Sequence, residues 1–155
     1  MKIYILTVGK PETKPYAQLC ELYLKRLKKY APVSLESVKP EKIKSKSDQE
    51  IISAESERLL ERLEVNEFVI VLDKAGKSMS SENFARLFNK LAQQSIKRIT
   101  LVIGGPLGLD NRIRQRADRL LSFSPMTFPH ELALTMLLEQ VYRAQTILRG
   151  GKYHK

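Results

Sequence analysis

Cysteine, histidine and long apolar runs are all scarce in this sequence. A single cysteine, Cys20, in 155 residues excludes an internal disulfide and fits a reducing compartment, so a cytoplasmic location is expected. Cys20 falls on the apolar face of a predicted helix, where a small buried hydrophobe is expected rather than a nucleophile. Two histidines, His130 and His154, stand far apart with that one thiol. They make no metal-ligand set, and no metal is expected. No apolar stretch is long enough to cross a bilayer. Lys2 is followed by an apolar run too short for a signal peptide. Acidic residues are scarce as well: 17 against 27 lysines and arginines, a net charge of +10. Such an excess either serves solubility or marks an anionic partner such as RNA, DNA or an anionic membrane.

The hydrophobic content of 43% and charged content of 28% are those of an ordinary globular chain. Its length suits one domain that buries about two-thirds of its unfolded surface. Residues 2–8 read as a strand ended by Gly9 and Pro11. Tyr16, Leu19, Cys20, Tyr23, Leu27 and Tyr30 recur at helical spacing from Lys14, and Pro32 stops that helix. Val33 to Val38 alternates as a half-buried strand. Lys39 to Lys46 carries four lysines and one glutamate, the pattern of a flexible loop. Ser47 and Glu50 form a capping box for a helix through about Leu63. Phe68–Leu72 is apolar throughout and reads as a central strand. Ser80 or Ser81 caps a helix with Phe84, Leu87, Phe88 and Leu91 on one face. Ile99–Ile103 is another buried strand.

A helix is predicted over Asp110 to Arg119, with Arg112, Arg116 and Arg119 along one side. A short strand follows near Leu121, and a last helix runs from about Glu131 to Arg149. The β-α alternation predicts a single α/β domain over residues 1–155 with a mostly parallel, five-stranded sheet.

Three features could carry chemistry. Gly104-Gly105-Pro106-Leu107-Gly108 follows a buried strand but matches neither the dinucleotide fingerprint nor a P-loop. Alone it is a structural turn or a ligand loop. With the Pro-punctuated strip Leu120–His130 it forms the expected cofactor pocket, since open α/β sheets bind ligands at neighbouring strand ends. The C-terminal helix is apolar well beyond one face (Leu132, Ala133, Leu134, Met136, Leu137, Leu138, Val141, Ala144, Ile147, Leu148). It is either buried in its own domain or packed on a second subunit, and a homodimer is the expectation. Glu139 and Arg143 read as an exposed ion pair. The ending Gly150-Gly151-Lys152-Tyr153-His154-Lys155 reads as a frayed terminus that nonetheless carries a stacking ring and an imidazole. His130, ahead of a helix, reads as a hydrogen-bonded structural residue.

Taken together, Ile103-Gly104-Gly105, Leu121–Ser124, Met126-Thr127-Phe128-Pro129-His130, Glu139-Gln140-Val141-Tyr142-Arg143-Ala144 and Tyr153-His154-Lys155 resemble the ribosomal RNA large-subunit methyltransferase H family. These are pseudouridine N3-methyltransferases of 23S rRNA in the SPOUT superfamily, and the resemblance covers the whole chain. It implies a Rossmann-like sheet with its C-terminal part threaded into a trefoil knot, an obligate homodimer and S-adenosylmethionine as methyl donor. By position it implies cofactor contacts at Leu72, Gly104 and the strip Phe123, Ser124, Pro125, Met126, Thr127 and Phe128. For such a reaction His154 is the candidate for the group that helps pseudouridine N3 lose its proton, with Tyr153 stacking on or orienting the base and Arg143 as the third catalytic candidate. A twin copy of the chain would complete the RNA side. Arg112, Arg116, Arg119, Arg143 and the N-terminal lysines would meet phosphates. Leu134 stands where the family commonly has an arginine, and Leu107 where the glycine loop is often polar. Two other functions fit the residues less well: a ribosome-binding protein without catalysis, and a nicotinamide-dependent oxidoreductase, which the missing G-x-G-x-x-G disfavours.

Overall fold

The computed structural model describes residues 1–42 and 46–155. Ten elements alternate along it: β1 (Lys2–Val8), α1 (Lys14–Leu27), β2 (Val33–Val38), α2 (Asp48–Leu60), β3 (Phe68–Lys77), α3 (Ser81–Gln93), β4 (Arg98–Ile103), α4 (Asn111–Arg116), β5 (Arg119–Leu121) and α5 (His130–Leu148). Residues 43–45 of the expected Lys39–Lys46 loop lie outside the described residues. The five strands form one sheet in the order β2-β1-β4-β3-β5, and every pairing is parallel.

Alternate residues of each strand feed opposite cores, as the strand period of two requires. Ile3, Ile5, Ile70, Ile99 and Leu101 face α1, α3 and α5, together with Phe88, Leu134, Leu138 and Val141. Tyr4, Leu6, Val8, Val69, Val71 and Val102 face the other way, with Leu59 of α2 and Ile113 of α4. Covering both faces is what lets a parallel sheet be apolar on both sides. Cys20 is buried on the first face with its thiol 3.6 Å from Thr135 Oγ1, and burial pushes that thiol up from its ordinary value.

Helix starts follow the local chemistry. Ser47 Oγ accepts from the Glu50 amide while the Glu50 carboxylate accepts from the Ser47 amide at 2.7 Å, completing the capping box. Ser80, not Ser81, caps α3 by accepting from the Asn83 amide. Asp110 caps α4.

Five expectations need correction. Helix α1 ends at Leu27, and α2 at Leu60 rather than Leu63. Leu19, placed on the buried stripe of α1, is 39% exposed. Strand β3 runs five residues past the apolar stretch, because the polar segment 73–77 bends back to pair Lys77 with Leu121. Helix α4 stops at Arg116, because the Asp118 amide donates to the Val69 carbonyl and Asp118 Oδ2 accepts from the Val69 amide. Those two bonds draw residues 119–121 into the sheet, so Arg119 is not on the helix.

Several surface carboxylates are held below their ordinary range. Arg58 and Lys46 bring Glu41 to about 2. Bonds from Ser80, from its own backbone amide and from His154 do the same for Glu82. Ser47 lowers Glu50, and Thr13 lowers Glu131. A carboxyl whose folded value lies below 4.5 adds stability above that pH and loses it as pH falls toward 2. The thermal midpoint should therefore hold level from neutrality to about pH 5 and drop between about pH 4.5 and 2. Calorimetry across that range checks it, and a midpoint unchanged at pH 3 contradicts it.

Candidate active site

The C-terminal ends of β3, β4 and β5 meet at a cleft of about 390 Å³, a volume within the usual small-molecule range of about 300–1,000 Å³. Leu72 and Asp73 form one wall, Ile103 and the turn Gly104–Gly108 a second, and Leu121–Ser124 with Met126–Phe128 a third. Six of the seven strip and strand-end positions expected to touch a cofactor therefore share one cavity with Gly104. Pro125 is the exception: it is exposed and does not line the cleft. Leu107, the apolar departure in the turn, lines the cleft at 40% exposure.

The glycine turn has no room for side chains at two positions. A Cβ at Gly104 would stand 2.6 Å from the Leu109 side chain, and one at Gly105 would stand 2.5 Å from Glu55 Oε2. Gly108 sits at φ +95°, where a β-carbon is strained, and its amide donates to the Gly105 carbonyl at 2.9 Å. His130 also lines the cleft, with Nδ1 3.0 Å from the Gly104 carbonyl and Nε2 3.0 Å from Thr7 Oγ1.

Beside the cleft the chain crosses itself closely. Leu121 pairs with both Leu72 and Lys77, and the Ser122 amide donates to the Lys77 carbonyl. At the crossing, a Cβ on Gly76 would lie 2.6 Å from the Leu121 backbone. Nothing in the local sequence marks Gly76, since Asp-Lys-Ala-Gly-Lys reads as a plain polar turn.

Arg143, Tyr153 and His154 form a second cluster, on the C-terminal half of α5. Arg143 donates to Glu139 Oε1 through Nε at 2.9 Å and Nη2 at 2.5 Å, and Tyr153 donates to the same oxygen at 3.1 Å. The Tyr153 ring packs edge-on against Tyr142, 4.8 Å between centroids. Burial, with bonds to Tyr23 and Glu139, raises the Tyr153 phenol and keeps it neutral. The Glu139 carboxylate holds Arg143 firmly cationic. His154 lies with Nε2 2.7 Å from Glu82 Oε1 and Nδ1 3.4 Å from Arg143 Nη1. Because the arginine can only donate, Nδ1 is the bare nitrogen and Nε2 carries the hydrogen. The tail is thus docked rather than frayed, and Glu139–Arg143 is a half-buried hub rather than an exposed pair.

The two clusters do not meet within one chain. Arg143 is thirteen residues beyond His130 on α5, which at the helical rise is about 20 Å. The arginine row dissolves too. Arg112 is bonded to Asp110 and the Ser53 carbonyl, and Arg116 to the Glu64 carbonyl. Leu134 is fully buried, as are Leu137, Leu138 and Val141, so most of the apolar width of α5 is used inside its own chain, between α1 and α3. Sequence reasoning passed over Glu55, Gly76 and the acceptor Glu82, whose parts depend on contacts distant in the chain, and read Glu139 only as the partner of Arg143.

Among the described residues, no group of three or more His, Cys, Asp or Glu side chains could hold a metal ion, and no helix is long and apolar enough to cross a membrane.

Known proteins resemble this chain along its whole length. A protein named ribosomal RNA large subunit methyltransferase H from Carboxydothermus hydrogenoformans is 40% identical over 159 residues, covering 100% of both chains. One of the same name from Bifidobacterium adolescentis is 42% identical with the same coverage. The structure of a probable methylase family protein from Haemophilus influenzae Rd KW20 superposes with a TM-score of 0.54 at 14% identity, covering 99% of this chain and 70% of that one, a likeness of fold. The family model described as "Predicted SPOUT methyltransferase" matches residues 1–154. An all-parallel α/β sheet with a cleft at its strand ends, read with these matches, makes this chain a member of the SPOUT methyltransferase family.

Proposed function

We propose that this chain uses S-adenosylmethionine to methylate N3 of a pseudouridine in 23S ribosomal RNA, acting as a cytoplasmic homodimer. Residues 1–155 form one SPOUT domain with its C-terminal part threaded as a trefoil knot. The observation that carries the reading is the convergence of Leu72, Gly104 and the 123–128 strip on one cleft, in a chain with full-length relatives named for this class of activity.

The cleft suits the donor. Leu72, Ile103, Leu121 and Phe123 offer apolar surface for an adenosine, and the glycine turn brings bare backbone to its edge. Leu72, Gly104, Phe123, Ser124, Met126, Thr127 and Phe128 hold the donor in this reading, with Pro125 shaping the strip from outside. When bound, the donor supplies an electrophilic methyl group on a sulfonium sulfur. The protein's own work is alignment and proton removal. His154 Nδ1 is the free base once Arg143 turns from it to the substrate. The neutral Tyr153 orients the acceptor ring, and Arg143 stabilises the negative charge that develops as the N3 proton leaves. The distance of about 20 Å along α5 separates these groups from the cleft of their own chain, so a second copy's tail completes the site. Leu19, Leu22 and Leu148, each about 40% exposed, leave α1 and the end of α5 apolar surface for that copy.

Mass spectrometry of large-subunit RNA from cells with and without this protein tests the reading. One pseudouridine should lack one methyl group in its absence and regain it when the protein and S-adenosylmethionine are added back. An identical methylation pattern in both RNAs overturns the assignment.

A further inference from the structure

We propose that His130 is a positioning residue for the donor cleft: its ring fixes the orientation of the Gly104–Gly105 peptide that forms the cleft's central wall. The inference rests on the cofactor reading of that cleft. It begins from a helix start without a side-chain cap. Pro129 is the N-cap of α5 and makes no such bond, so the side chain at the next position is free for other work. The His130 ring spans two strands' ends. Nδ1 lies 3.0 Å from the Gly104 carbonyl, which can only accept, so Nδ1 bears the hydrogen. In the neutral ring Nε2 is then bare and takes the hydroxyl hydrogen of Thr7, 3.0 Å away and fully buried on β1. One tautomer satisfies both contacts.

Holding that carbonyl holds the next amide as well. The peptide is trans, as are all among the described residues, so the Gly105 N–H points opposite to the Gly104 C=O. Two glycines in succession have no side chains to restrain the plane between them. Packing closes on it instead, from Leu109 at Gly104 and from Glu55 at Gly105. Glu55 is 3% exposed, and its Oε2 has no hydrogen-bond partner among the described residues, so it packs against Gly105 without restraining the amide. Packing confines the wall, and His130 adds the polar hold that selects whether a donor or an acceptor faces the ligand.

A pair of variants separates this role from a merely structural one. The Asn side-chain amide reaches about as far as the ring's Nδ1, whereas that of Gln reaches as far as Nε2. His130→Asn should keep the bond to Gly104 and lose Thr7, and His130→Gln should do the reverse. Titration with S-adenosylmethionine should show His130→Gln weakened about tenfold and His130→Asn within about threefold of the parent. In the donor-free protein, the amide resonance of Gly105 should move in His130→Gln and stay near its parent position in His130→Asn. Equal weakening of both variants, parent affinity in both, or an unmoved Gly105 resonance in His130→Gln overturns the proposal. A parent protein that does not bind S-adenosylmethionine sinks the cofactor reading instead, and the amide resonance alone then decides the clamp.

Discussion

Replacing His154 by alanine is expected to lower methyl transfer by about 10²–10⁴-fold, the usual worth of a positioned acid–base group. The dissociation constant for S-adenosylmethionine should change little, because His154 acts on the acceptor base and is not among the residues that line the donor cleft. Single-turnover assays and calorimetry read the two quantities separately. A His154→Ala protein that turns over at the parent rate removes this residue from the mechanism. The same variant tests the shared site. Thr127→Trp places a bulky ring at an exposed position on the cleft wall and should abolish donor binding in its own copy. Neither variant alone should be active. If each site joins one copy's cleft to the other's tail, mixing and re-annealing them should restore about a quarter of parent activity, since half the dimers then carry one intact site of two. No recovery in confirmed mixed dimers would place cleft and tail of the same chain together.

Gly76→Ala is the second large expected effect. The added methyl would sit 2.6 Å from the backbone of Leu121 and 2.7 Å from that of Leu120. Backbone at a strand crossing cannot step aside as the end of a side chain can, so this overpacking should cost at least about 3 kcal/mol. For a chain of this length the melting midpoint should fall by roughly 6–12 °C. The same crossing carries Leu121 against Leu72 and Lys77, so donor affinity should fall with it even below the melting range. A melting curve superimposable on the parent's contradicts the close approach. Gly150→Ala is the control: it carries no such contact, only a positive φ, and should cost much less.

How far the chain could be read before folding differs from element to element. The capping box at Ser47 and Glu50, the apolar strands and the amphipathic α3 declare themselves within a few residues, because local hydrogen bonds and side-chain period decide them. Strand ends gathered at one edge of a parallel sheet place a cleft there, so the glycine turn and the Phe123–Phe128 strip were legible as a pair. The resemblance carried the tail, where composition by itself favours disorder. Three things were not legible. Asp118 turns the end of an apparent helix into β5 by bonding to Val69, forty-nine residues earlier. The polar segment 73–77 becomes strand only because Leu121 lies there to pair with it. Tyr153 and His154 are ordered by Tyr23, Glu82 and Glu139, which come from three helices.

The sequence by itself determined the alternating α/β layout, the basic surface and the positions where backbone is bare. Each of those follows from residue type and short-range spacing. Only the tertiary structure decided that Arg112 and Arg116 are occupied internally, that α5 is largely covered within its own chain, and that cleft and tail lie apart within one chain. Those outcomes depend on which distant groups a side chain meets, and electrostatic and packing energies are settled by distance in space rather than by separation along the chain.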